Sequence, residues 1–137
     1  MSGETDLGIL LRSMEPHLSD TAFSFAVAAS GEVPPGVNVI GTFVEDEGLS
    51  IVAPLAEIER AGLAHAGSWA KISLSVHSSL SAVGLTASIA TALAAQGISA
   101  NMIAAYHHDH IFVPWDKRHE AMNVLNRIGR HGQRYSD

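Results

Sequence analysis

Four consecutive residues, His107, His108, Asp109 and His110, carry the side chains best suited to chemistry in this 137-residue chain. Imidazole nitrogen and carboxylate oxygen are zinc ligands. On a strand, however, neighbouring side chains point to opposite faces. His108 and His110 would share one face, and His107 and Asp109 the other. A convergent metal site therefore needs a further ligand, such as His77 or His119. Three uses stay open: a structural turn, a ligand contact, or a metal-dependent enzyme. Ser78 and Ser79 offer hydroxyl nucleophiles. No base stands at a recognisable spacing from them, and the surroundings are not GxSxG. Glu45, Asp46 and Glu47 form an acidic tip, which suits a solvated turn or a contact to a basic ligand. Trp69 and Trp115 suit packing against helices or an interface better than a cofactor box.

Backbone chemistry is the other candidate. The segment HSSLSAVGLTASIATALAAQGISANMI (77–103) joins an alternating strand to an alanine-rich helical pattern through Gly84. Gly84 permits a tight turn. The N–H groups near Leu85, Thr86 and Ala87 then open a helix and favour an anion such as a carboxylate. Small residues nearby (Ser78, Ser79, Ser81, Ala82) leave room for a ligand against the backbone.

These groups need elements to place them. Leu7, Leu10, Leu11, Met14 and Leu18 recur at helical spacing, with Thr5 or Asp6 as a cap and Pro16 ending the helix near Met14. A half-buried strand is predicted over 21–29, and SGEVPPG (30–36) is a loop. Residues 37–54 read as a hairpin: Val37, Val39, Phe43 and Val44 feed the first arm, 45–48 the turn, and 49–52 the return. A short helix spans 55–63, and 65–69 joins the two halves. A strand over 70–80, a helix over 87–98 ended by Gly97, and strands at 102–106 and 111–113 follow. Asp116 is placed to cap a last helix through Arg130, with Ala121, Val124, Leu125 and Ile128 on its core face.

Composition narrows the classes. Net charge is −6 with His neutral, and five of the eight basic residues cluster between Lys117 and Arg134. An acidic chain is repelled by phosphate, so no nucleic-acid partner is expected. Cysteine is absent, which excludes disulfides and thiolate metal sites. No apolar run approaches the ~18 residues of a membrane helix. The start, MSGETDLGILLRS, has no basic region followed by a cleavage site. No membrane partner is expected, and a cytoplasmic location is. Hydrophobic residues make up 47% and charged ones 16%, which fits a globular core with some surface covered by another chain.

The order strand, helix, strand, strand, helix over 70–130 is that of a split β-α-β fold. At VGLTASIATALAAQGISANMIAA (83–105), HIFVP (110–114) and the helix from Asp116, the chain resembles the ACT-domain family. It is most similar to small stand-alone bacterial proteins with tandem ACT-like repeats, through LLRSMEP (10–16), FSF (23–25), EDEGLS (45–50), SSLSAVGLTA (78–87) and YHHDHIFVP (106–114). The resemblance implies an α+β, ferredoxin-like fold with antiparallel sheets and helices on one face. It implies a degenerate N-terminal ACT-like half at 1–66 and an ACT domain at 67–131; the polar tail at 132–137 is expected to be disordered. It further implies a non-catalytic regulatory protein that binds a small molecule, an amino acid, and acts through subunit or partner contacts. Val83, Gly84, Leu85, Thr86, Asn101 and Met102 would line the pocket. No cofactor is expected, and a homo-oligomer is, because pairing protects exposed sheet edges. No enzyme is fused to the chain, so an effector would be a separate protein. An assembly module with a vestigial pocket is the remaining alternative.

Overall fold

The computed structural model describes residues 6–75 and 84–134. In chain order the elements are α1 (Leu7–Ser13), β1 (Pro16–Ala28), β2 (Gly41–Glu45), β3 (Gly48–Pro54), α2 (Leu55–Ala61), β4 (His65–Leu74), α3 (Leu85–Ala95), β5 (Asn101–Ala104), β6 (Asp109–Pro114) and α4 (Arg118–Arg134). The chain forms two units: Met1–Ser19 with Lys71–Asp137, and Asp20–Ala70.

In the 20–70 unit the hydrogen-bonded order is β2-β3-β1-β4. β1 runs antiparallel to β3 from Phe23↔Pro54 to Ala28↔Leu49. β2 and β3 form the expected hairpin, from Gly41↔Val52 to Glu45↔Gly48. One face of these strands gives Ala26, Ile51 and Ala53 to a core that Ile58 of α2 completes. Val37 joins that core, but from a loop and not from the first hairpin arm, which begins at Gly41. The prolines and glycine of 34–36 break the ladder. Val37 N–H then donates to Pro34 O at 3.3 Å. The Glu57 carboxylate accepts from Asn38 N–H (2.7 Å) and Asn38 Nδ2 (3.1 Å), fixing the loop to α2. Ser24 is fully buried, and its hydroxyl donates to Gly67 O at 2.7 Å, so burial leaves it satisfied. β4 begins at His65, where a joint was predicted, and Trp69 meets Phe25 edge-to-face with centroids 5.7 Å apart.

In the other unit the order is β1-β4-β6-β5. β5 and β6 pair antiparallel from Asn101↔Phe112 to Ala104↔Asp109. Alternate residues Ile72, Leu74, Ile111 and Val113 are buried, as are Leu85, Ile89 and Leu93 of α3 and Ala121, Val124 and Leu125 of α4. This is the pattern of strands packed by helices on one face, with Phe112 of β6 buried on the other. The first residues of β1 supply the fourth strand, and Ser75 N–H donates to Glu15 O at 2.8 Å. β1 thus starts at Pro16, five residues before the predicted strand, and Leu18 belongs to it and not to the helical stripe. The local period is ambiguous there, and pairing decides it.

Helix ends follow local chemistry. The Asp6 carboxylate accepts from Ile9 N–H at 3.0 Å and caps α1; Thr5, the other candidate, lies outside the described residues. After α3, Gly97 sits at φ 71°, and Ile98 N–H reaches back to Leu93 O at 3.0 Å. That closure requires a left-handed residue, which glycine supplies. Asp116 does not cap the last helix: it lies inside a 3-10 turn, Trp115–Lys117, that precedes Arg118. The Arg118 guanidinium stacks 3.9 Å from the Trp115 ring centroid and donates to Trp115 O at 2.7 Å. α4 continues to Arg134, past the predicted end at Arg130, because crossing Gly132 costs a helix only about 1 kcal/mol. The tail beyond it, 135–137, lies outside the described residues.

Ile58→Ala should lower the unfolding free energy by about 2–5 kcal/mol, the range for emptying a buried aliphatic site. Denaturant unfolding of both proteins measures it, and a change below that range would mean that the small core beside α2 collapses to fill the gap.

Candidate functional site

Gly84 is the N-cap of α3, with φ 96° and ψ −16°, and has no side chain of its own to cap the helix. The first helical hydrogen bond is Ser88 N–H to Gly84 O at 2.8 Å. The N–H groups of Leu85, Thr86 and Ala87 precede it, so they have no acceptor within the helix. They form the positive end of the α3 dipole. Thr86 and Ala87 are exposed, whereas the Leu85 side chain is buried in the core and offers only its backbone. Val83 lies outside the described residues, as do His77, Ser78, Ser79, Ser81 and Ala82.

Asn101 and Met102 stand elsewhere. α3 has eleven residues, and a rise of about 1.5 Å each makes it about 16 Å long. Gly84–Thr86 lie at its start, and Asn101 follows its end after the Gly97 turn. One amino acid cannot span that length, so within a single chain the two groups of residues are not brought together.

One feature of the turn carries no sequence signal. A Cβ built on Gly84 would lie 3.2 Å from Leu7 Cδ2. The first residue of α1 therefore rests against the turn, and the small residues alone do not describe its surroundings. Helical spacing identifies Leu7 as apolar but not what it touches.

The histidine cluster disperses. His107 stacks edge-to-face on Tyr106 with centroids 4.8 Å apart, and both are exposed. Ala105 N–H donates to His108 O at 3.1 Å, closing a turn. His110 Nδ1 and Ser73 Oγ are hydrogen-bonded at 2.8 Å. Among the described residues, no three His, Cys, Asp or Glu side chains converge as a metal would require. His110 is half-buried, and burial holds its pKa below the ordinary 6.5, helped by the charges of Lys71 and His108 and opposed by Asp109. Burial raises Asp109 above its ordinary 3.8, against the pull of His110 and His108.

Two predictions follow from these groups. A histidine whose pKa is depressed on folding stabilises the fold above pH 6.5 and loses that contribution as pH falls towards its folded value. The melting temperature should therefore drop less between neutral and mildly acidic pH in His110→Gln than in the wild type. Asp109 has the opposite sign, gaining stability as pH falls through its raised folded value towards 3.8, so Asp109→Asn should steepen the decline in that lower, acidic range. Equal pH profiles for all three proteins would remove both assignments. Separately, Gly84→Ala should cost about 1–3 kcal/mol, since it forces a side chain into a left-handed residue beside Leu7. Leu7→Ala in the same background should recover only the share due to crowding.

Comparison with other proteins places this geometry. Models of the ACT domain match residues 2–70 and 65–127. A protein of unknown function from Vibrio cholerae, described as a possible transport protein, is 41% identical over 90% of this chain and 95% of its own, with a TM-score of 0.77. An Agrobacterium tumefaciens protein is 19% identical, covering 85% of this chain and 89% of its own at a TM-score of 0.70. The regulatory subunit of aspartate kinase from Thermus thermophilus shares the fold at 13% identity, over 82% of this chain and 95% of its own, at a TM-score of 0.54. No curated protein matches the sequence. Among the described residues, no helix is long and apolar enough to cross a membrane. With an α+β, ferredoxin-like architecture and two ACT-domain matches in 137 residues, the chain belongs to the ACT-domain family, as a small protein with tandem ACT repeats.

Proposed function

We propose that this protein is a non-catalytic regulatory module that binds an amino acid at the Gly84 turn. The observation that carries the proposal is the glycine N-cap of α3, after which three N–H groups stand ahead of the first helical bond. A carboxylate satisfies such groups and is favoured by the helix dipole. Leu85 and Thr86 supply N–H groups to it, and Val83, next to Gly84 in the sequence, is proposed as a further pocket residue.

Asn101 and Met102 join this pocket from a second copy. β5 is the last strand of its sheet order. Antiparallel pairing with β5 of another chain reverses its ends, carrying Asn101 of one copy towards the start of α3 in the other. Asn101 then offers a donor and an acceptor to the ligand's α-amino and carboxylate groups. The protein accordingly works as a homo-oligomer, in the cytoplasm, and passes its ligand state to a separate effector. No nucleic acid or membrane takes part.

Leu7 favours one other reading. Its methyl group lies against the turn, as it would in an assembly module whose pocket is vestigial.

The test is a thermal-shift screen of the twenty amino acids. A ligand that binds only the folded state adds about 2.7 kcal/mol of stability at a hundred times its dissociation constant. One amino acid, or a chemically narrow set, should raise the melting temperature. Gly84→Trp is a poor control, because φ 96° and Leu7 would strain the fold itself. Thr86→Glu is better: an acidic residue suits a helix start and keeps α3 intact, yet its carboxylate occupies the ligand's place. It should melt no lower than the wild type and lose the ligand shift. A flat panel with the wild type would overturn the proposal in favour of the assembly module.

A further inference from the structure

The two faces of the β4–β6 pair differ in kind. Ile72, Leu74, Ile111 and Val113 are buried on the helix side. Alternation turns Lys71 and Ser73 of β4, and His110 and Phe112 of β6, to the other face. Phe112 is 1% exposed there, whereas Lys71, Ser73 and His110 are half-buried. Ser73 Oγ and His110 Nδ1 are hydrogen-bonded at 2.8 Å. With the serine hydroxyl donating to Nδ1, the ring proton is on Nε2, which is then a donor away from Ser73. Lys71 stands two residues before Ser73, about 7 Å along the same face of β4, and adds an ammonium. Asp109, next to His110 in sequence, is turned to the opposite face. On β5 the residues across from Phe112 and His110 are Asn101 and Ile103. No carboxylate from 71–74, 101–104 or 109–114 therefore shares that face.

Charge is crowded at this spot. Burial and the positive charges of Lys71 and His108 hold His110 below its ordinary pKa, against the pull of Asp109. Like charges gathered in a half-buried position are an arrangement that a bound anion relieves. Local charge decides a site this small, because salt screens the chain's net −6 beyond about 10 Å.

We propose that Lys71, Ser73 and His110 form a binding site for an oxyanion of the phosphate class, on the face of the sheet away from α3. The Lys71 ammonium and His110 Nε2–H donate to its oxygens, and Ser73 fixes the ring that makes the second bond. Hydrogen bonds between charged partners are the stronger class. A phosphate suits this pair better than a carboxylate does. Its oxygens project in several directions, so donors on neighbouring strands reach it together, and it carries nearly two charges at neutral pH. The site is separate from the Gly84 turn and holds whether or not that turn binds an amino acid.

NMR of the His110 ring in the full chain tests this, with its signals assigned by their loss in His110→Gln. The buffer is free of oxyanions, and the additions are inorganic phosphate, glycerol 3-phosphate and acetate at matched ionic strength. Inorganic phosphate should shift the His110 signals saturably and raise the ring's pKa. Lys71→Gln should weaken that binding roughly tenfold or more, the loss of one hydrogen bond between charged partners, and Lys71→Arg should keep it. Thr86→Glu, which fills the Gly84 turn, should leave it unchanged. Saturation by inorganic phosphate alone would assign a free phosphate ion, and saturation by both phosphates a phosphoryl group on a larger molecule. Equal saturation by acetate would overturn the phosphate class. A response that Lys71→Gln leaves intact would overturn the site, and one that Thr86→Glu alone removes would move the anion to the start of α3.

Discussion

Strand alternation is the constraint on which the site depends. In the segments 71–74 and 110–113, alternate residues face one core, Ile72 and Leu74 on β4 and Ile111 and Val113 on β6, while Phe112 is buried on the other face. Those four positions hold α3 and α4 against one face and leave the other residues no choice. Ser73 and His110 must stand on the opposite face, where they bond to each other. That alternation also separates Asp109 from His110 on β6, while His107 and His108 lie in the turn before it. Among the described residues the run does not converge as a ligand set.

Helices carry the complementary part. α3 has glycine at both limits, left-handed at Gly84 and again at Gly97. These two residues set its length, and the length sets what the fold can bring together. Asn101 and the Gly84 turn look close in sequence only because a helix lies between them. Along the axis they are its two ends, and a shared ligand requires a second chain. An anion site built on backbone N–H groups needs no conserved side-chain chemistry, only an exposed helix start.

Much of this was legible in the sequence where local chemistry decides. The β2–β3 hairpin, α2, α3 and its glycine closure follow from alternation, helical spacing and turn residues. The family resemblance through 83–114 gave the architecture. What sequence could not give depends on pairing or packing at a distance. Pro16 to Ser19 and His65 to Trp69 look like a helix tail and a joint, and become strand because each meets a partner strand. Val37 looks like part of a hairpin arm, and reaches the core from a loop because Glu57 on α2 ties down Asn38. Asp116 has the chemistry of a cap but not the position, since Trp115 and Arg118 form their own turn first. Leu7 could be assigned to an apolar stripe, but not to the one turn it rests on.

That last contact ties the order of α1 to the start of α3. α1 has seven residues, fewer than an isolated helix needs to persist in water. It is helical because it is docked, packing on α4 and on the start of α3. Leu7 is its first residue and the one that meets Gly84. A side chain at position 84 would press on Leu7, and displacing Leu7 weakens the packing that keeps α1 wound. The bare backbone that opens α3 is therefore also a condition for the leading helix to form.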